Sequence, residues 1–158
     1  MRTYAWAGLV GLVLGYGIYG LATVDRRTDE QRILALIEST ARAVENHDLS
    51  GTISAVSRQY KDESGFNYDR LRVLAAQAMR SEVSYRVRVE PGPVGVVADT
   101  ATVSVRATVT REDGGVIYDR TIDLELTREN AWRAVLIPTR TWRVTSSRNL
   151  GANALQNW

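Results

Sequence analysis

The chain has 158 residues, room for one domain of ordinary size. With 44% hydrophobic and 24% charged residues, 12 Gly and 3 Pro, it is globular rather than disordered or collagen-like. It contains no Cys and a single His, His47, which excludes disulfides, thiolate catalysis and Cys- or His-rich metal centres, and its formal net charge of +2 is too balanced to imply a polyanion, so no nucleic-acid partner is expected.

From Thr3 to Val24 the chain runs 22 residues without a charge. A helix of that length spans roughly 33 Å, enough for the hydrocarbon core of a bilayer. Arg2 flanks it on one side and Asp25, Arg26 and Arg27 on the other, with Tyr4, Trp6 and Tyr19 near the ends, where amphipathic rings favour the interface. A cleaved signal peptide is the rival reading, with Gly20-Leu21-Ala22 as its cleavage site, but the apolar run exceeds the usual h-region of about 7–15 residues. Residues 1–24 are therefore read as a single transmembrane anchor. Gly11 and Gly15 form a small-xxx-small pair with Gly8 on nearly the same face, the pattern of a span that packs on other membrane subunits. Orientation is contested. Arg26, Arg27 and Arg32 outnumber Arg2, which favours a cytoplasmic domain, whereas a short basic start before an apolar run is that of a signal anchor, which exports the domain C-terminal to it. The extracytoplasmic (periplasmic) side is the reading adopted.

Residues 25–145 read as helices followed by strands, with 146–158 as a tail. In the stretch Asp25–Asn46, Ile33, Leu34, Ile37, Ala41 and Val44 share one helical face, and Thr28 with Gln31 three residues on fits a capping box. Asp48 is positioned to cap a short second helix carrying Leu49, Ile53, Val56 and Tyr60, and Asn67 a third carrying Leu71, Leu74, Ala75 and Ala78. Between them, Lys61-Asp62-Glu63-Ser64-Gly65 is a loop. After Ser81 the period changes to two: Val83 to Val89, Thr102 to Val109 and Val116 to Leu126 alternate apolar with polar residues. Asp113-Gly114-Gly115 and Glu129-Asn130 read as hairpin turns, and Pro138 as a break or an edge between Trp132–Ile137 and Thr141–Val144. The fold class is α+β, a curved antiparallel sheet on three helices, its outer face wet or against a partner.

The order of several short motifs resembles the nuclear transport factor 2-like superfamily. Ala43-Val44-Glu45-Asn46-His47-Asp48-Leu49 and Ser57-Arg58-Gln59-Tyr60-Lys61-Asp62-Glu63-Ser64-Gly65 look like its helical half, Asp99-Thr100-Ala101-Thr102-Val103 like the turn into its first long central strand, and Ala131-Trp132-Arg133 like the beginning of its last strand. The resemblance covers roughly residues 28–145 and implies a cone, a bent sheet wrapped around a long helix. Such cones include ketosteroid-isomerase-like and polyketide-cyclase-like enzymes, ligand binders and non-catalytic assembly domains, and membrane-anchored versions occur in secretion machinery and transporters, so the fold leaves the job open.

Candidate chemistry is sparse. Imidazole as a class titrates near neutrality, which makes His47 a candidate general base, but a cation at a helix end beside Asp48 is also favoured by the helix dipole. Asp62 and Glu63 form an adjacent carboxylate pair, available for acid–base work if buried and solvated otherwise. Arg120 falls on the apolar phase of its strand between Tyr118 and Ile122. A buried guanidinium there has to be paired or to face a cavity; with Tyr118, Tyr85, Trp132 and Asp62 it is a candidate ligand pocket, whereas a bulge or an ion pair from a helix accounts for it without one. Arg86, Arg88, Arg106 and Arg133 share outward phases, as do Asp119, Asp123 and Glu125, which gives a mixed face suited to a protein partner or to water. No phosphate loop, nucleophile elbow, zincin helix or calcium loop occurs, so no catalytic residue, cofactor or metal is assigned. The expectation is a non-catalytic accessory or scaffold subunit of a membrane protein complex, contacting other subunits through its span and its sheet face or forming a homo-oligomer. The alternative is a tethered cone that binds a small molecule or acts on it like an isomerase or cyclase.

Overall fold

A computed structural model of the chain describes residues 27–80, 84–133 and 137–151. Gly8, Gly11, Gly15 and the whole apolar run 3–24 lie outside the described residues, as does the end of the tail. Among the described residues no helix is long and apolar enough to cross a membrane.

The first helix, α1 (Asp29–Glu45), starts at the expected capping box. The Thr28 hydroxyl accepts from the Gln31 N–H at 3.2 Å, and the Gln31 side chain accepts from the Thr28 N–H at 3.1 Å. It ends where His47 adopts φ 54°, with the Asp48 N–H bonded to the Ala43 carbonyl (2.8 Å) and the His47 N–H to that of Val44 (3.1 Å). That pair of bonds is a Schellman closure, which turns the chain directly into α2 (Leu49–Ser54). Asp48 caps α2 through the Gly51 N–H (2.9 Å), and Asn67 caps α3 (Tyr68–Ala78) through the Arg70 N–H (2.9 Å), both as the sequence predicts.

The strands are β1 (Tyr85–Pro91), β2 (Gly95–Val97), β3 (Thr100–Arg111), β4 (Val116–Arg133) and β5 (Ile137–Arg148). They form one antiparallel sheet in the order β1-β3-β4-β5, with β2 beside the start of β3. Along β3 exposed and buried residues alternate, so that Ala101, Val103 and Val105 face inward. With Leu126 of β4 and Trp142 of β5 they pack on Ile33 and Ile37 of α1. One stripe of α1 thereby covers the concave side of the sheet, and the opposite side is left to solvent.

The strand pattern departs from the sequence reading in four respects. Glu129 and Asn130 are not a turn: β4 runs straight through them, paired with Thr141 and Arg140 of β5. The polar pair looks like punctuation, but the Glu129 carboxylate is held in the strand by the Ser57 hydroxyl at 2.5 Å and by Arg143 at 3.4 Å. Thr141–Val144 is not a separate strand, because β5 is continuous from Ile137, with Pro138 opposite Trp132 near its start. β5 is the last strand of the sheet path, so a proline there costs no ladder bond on a central strand. It also extends to Arg148, past the expected boundary at 145. Finally, the three residues of β2 were too few to show a period.

Both sheet edges are partly covered. Along β5, the Val144 N–H bonds the Ala55 carbonyl, and the N–H groups of Ser57 and Lys61 bond the carbonyls of Val144 and Thr145. At β1 the Val87 N–H donates to the Glu45 carboxylate at 2.8 Å, and Pro91 has no N–H to offer. Satisfied or missing donors of this kind discourage indiscriminate strand pairing.

Candidate functional site

The polar groups inside the cone lie beyond α1, where α2, α3 and the segment joining them close over the end of β5. Ile53, Tyr60, Phe66 and Tyr68 form a second buried cluster there. The Tyr60 hydroxyl shares a 2.5 Å hydrogen bond with the buried Ser147 hydroxyl and donates to Asp62 at 3.3 Å. Burial pushes the Tyr60 phenol up to about 12, against the Ser147 hydrogen bond, which lowers it, and with the Asp62 charge, which raises it further. The other oxygen of Asp62 accepts from the Phe66 N–H at 2.8 Å, and the Asp62 N–H bonds the Phe66 carbonyl. Asp62 thus staples its own loop, whose Gly65 takes φ 79°. Glu63 is turned away to the surface, where it accepts from the Asn149 N–H at 3.4 Å.

Tyr118 lies on the concave face of β4, buried, with its hydroxyl donating to the Leu150 carbonyl at 3.1 Å. Burial raises its pKa, and the neighbouring Arg120 opposes the rise. Arg120 keeps the inward phase of the strand but is exposed, because this end of β4 runs past the helical cover and residues 149–151 lie against it instead. Gly151, at φ 67°, approaches so closely that a Cβ there would fall 2.8 Å from the Arg120 Nε. The buried guanidinium expected at Arg120 is therefore an exposed one beside a backbone turn.

The remaining candidates do not converge on this pair. Tyr85 is half-buried and stacks on His47, with ring centroids 5.9 Å apart at 22°. His47 closes a helix and carries a ring contact, both structural uses. The side chain of Trp132 lies outside the described ones, and its backbone sits opposite Pro138, fourteen residues along β4 from Tyr118. At about 3.3 Å per residue that is roughly 45 Å of strand contour. Among the described residues no three His, Asp or Glu side chains are grouped to hold a metal.

The outer face of the sheet carries a ladder of paired charge. Arg106 grips Asp119 with two nitrogens, at 3.0 and 2.9 Å, and Thr108 adds a third bond to the same carboxylate. The hydrogen bond from Arg106 holds the Asp119 carboxyl below the usual range. Ser104 donates to Asp123 at 2.6 Å, and Arg148 to Glu125 at 2.6 Å. Arg86 and Arg88 are exposed on the edge strand, Arg88 pairing with Glu90 at 3.0 Å, and the side chain of Arg133 lies outside the described ones. The basic residues are thus interleaved with carboxylates.

Four further polar residues, Asp29, Arg128, Ser57 and Glu129, have partners that no sequence motif marks. Asp29, at the first turn of α1, accepts from Arg128 and, at 3.2 Å, from the Trp142 indole, while the Arg128 guanidinium lies 4.8 Å above the Trp142 ring. Ser57 and Glu129 join the helical half to the sheet, across 72 residues of chain. Such partnerships follow from tertiary proximity alone.

No protein-family profile matches this sequence, and no curated protein sequence matches it. Solved structures do. A protein of unknown function from Mycobacterium tuberculosis superposes with TM-score 0.60 at 20% identity over 75% of this chain and 72% of its own. A nuclear transport factor 2-like protein of unknown function from Shewanella oneidensis gives 0.59 at 12% identity, over 76% and 97%. The fold is the nuclear transport factor 2-like cone. A ketosteroid isomerase-like protein from Erwinia carotovora, at TM-score 0.53 and 17% identity over 77% and 94%, shares the same cone. At these identities the likeness concerns the fold and not the activity.

Proposed function

We propose that this chain is a single-pass membrane protein whose non-catalytic cone serves, on the extracytoplasmic side, as an accessory or scaffold subunit of a larger membrane complex. The observation that carries the reading is how the interior polar groups are used: Tyr60, Ser147 and Asp62 bond to one another and to their own loop, and Tyr118 bonds to a backbone carbonyl. What stays accessible is the charged ladder of the outer face, a surface suited to polar contact with another protein. The glycines Gly8, Gly11 and Gly15 of the apolar run support a span that packs on protein. The test is purification of the tagged full-length chain in mild detergent with mass spectrometry of what accompanies it. Stoichiometric membrane subunits are expected, and the double variant Gly11→Leu/Gly15→Leu loses them. A chain recovered alone or only as its own oligomer overturns the accessory role, and unchanged recovery by the double variant overturns packing through the glycine face.

One arrangement favours a second reading, a tethered cone that binds a small molecule. Buried Tyr118 and exposed Arg120 share the inward face near the start of β4, beside residues 149–151, an aromatic ring and a cation of the kind an aromatic anion would engage. Saturable stabilisation of the full chain by small aromatic carboxylates, lost in Arg120→Gln, is the outcome that selects this reading over the first.

A further inference from the structure

The hairpin joining β2 to β3 presents three consecutive apolar residues to solvent. Val97 is 74% exposed, Val96 37%, and Ala98 at the apex is exposed as well. Ala98 takes φ 53°, a conformation in which glycine is the easy choice, so the apex carries a methyl group where none is needed to make the turn. Among the described residues the other large exposed apolar side chains are Val73 on α3 and Val116 at the start of β4, neither of them near the tip in the chain. An apolar tip with no cover of its own marks a surface that meets something.

The tip's place in the fold says what it meets. Thr100 bonds the Val97 carbonyl at 2.9 Å, and Asp99 between them is tied to Arg128 through its backbone carbonyl (2.9 Å) and to Arg140 through its carboxylate (3.1 Å). Arg128 in turn holds Asp29, in the first turn of α1. The tip is therefore fixed to the beginning of α1, at the same end of the cone as Arg27. The 22-residue apolar run ends at Val24, three residues before Arg27, a distance the chain cannot stretch beyond about 11 Å. A bilayer that held this run would have the tip among the nearest parts of the cone. The acidic groups beside the tip do not oppose such contact, since Asp29 and Asp99 are both paired with arginines.

We propose that Val96, Val97 and Ala98 seat on the bilayer at the lipid headgroup level and orient the cone on the membrane that holds its own apolar segment. The inference rests on the membrane reading proposed above. Valine side chains and the flanking Arg27 and Arg140 suit an interface that is apolar on one side and polar on the other.

The chain has no native cysteine, so a single environment-sensitive fluorophore can be placed at Val97→Cys, with Val116→Cys as the control at the opposite end of β3. Both full-length variants are reconstituted in phosphatidylcholine vesicles, and alkaline carbonate extraction is run in parallel. Emission at position 97 is expected to shift to shorter wavelength and to be quenched by shallow spin-labelled lipid, while position 116 stays water-like. Water-like emission at both positions from protein that resists carbonate overturns the docking and leaves the anchor standing. Release by carbonate overturns the anchor, and the docking with it. A shift seen in native membranes but not in lipid vesicles overturns lipid as the occupant and assigns the tip to a protein partner.

Discussion

The two apolar clusters of the cone differ in chemistry. Under α1 the cluster is aliphatic except for Trp142, and its few polar partners, Asp29 and Arg128, stand at its rim. Under α2 and α3 the cluster is mostly aromatic and has hydroxyls inside it, Tyr60 against Ser147, with the Asp62 carboxylate at its edge. The first region gains mainly from buried apolar area, and its one polar atom, the Trp142 indole N–H, is satisfied by Asp29. The second holds its polar groups by closing a hydrogen-bond chain, which makes it sensitive to pH and to the loss of a single oxygen. Stability and chemical sensitivity thus belong to two neighbouring clusters that meet at Val144 of β5.

Truncation in the first region has the largest expected effect. Leu126 is 1% exposed on a central strand, and Leu126→Ala lowers unfolding stability by about 2–5 kcal/mol, read as a shift of the urea midpoint. A loss below about 1 kcal/mol would show that this cluster is looser than its burial implies.

The second region gives a smaller change that depends on pH. Tyr60 ionises near 10 in the unfolded chain and near 12 in the folded one, so between these values the unfolded state binds fewer protons. The contribution is fully present below pH 10 and is lost as pH rises through 12, an effect on the order of 2–3 kcal/mol. Tyr60→Phe costs about 1–2 kcal/mol at pH 8, since Ser147 loses its partner, and removes this part of the alkaline decline. Equal alkaline slopes for the parent chain and the variant would break the contrast between the regions.

The outer face should hardly register in stability. Asp119→Ala removes an exposed ion pair and leaves the melting temperature unchanged within error, while lowering recovery of co-purifying subunits. Unchanged recovery would take the ladder out of the partner surface.

Local structure was legible wherever one residue and its near neighbours decide it. Thr28, Asp48 and Asn67 mark the helix starts because each side-chain oxygen meets the N–H three residues on, and alternation along Val103 and Val105 marks the buried face of β3. The resemblance to nuclear transport factor 2-like cones was carried by the order of such elements. Glu129-Asn130 misled because a polar pair reads as a turn unless its distant partner, Ser57, is known. Arg120 misled because phase tells which face a residue is on but not how far the helices cover that face. The candidate pocket of Arg120, Tyr118, Tyr85, Trp132 and Asp62 rests on parity without distance, and β4 is long enough to put the Trp132 backbone at the far end from Tyr118.

Helix caps, the buried faces of the strands and the long apolar run ahead of them follow from local pattern, because periodicity and capping are properties of neighbours along the chain. No local pattern shows that Tyr60 meets Ser147, that Asp29 meets Arg128 and Trp142, or that the Val96–Ala98 tip stands beside the beginning of α1; the folded arrangement brings them together. Those pairings join residues 87 to 113 positions apart, and a hydrogen bond between such residues exists only once burial has brought the strands and helices together.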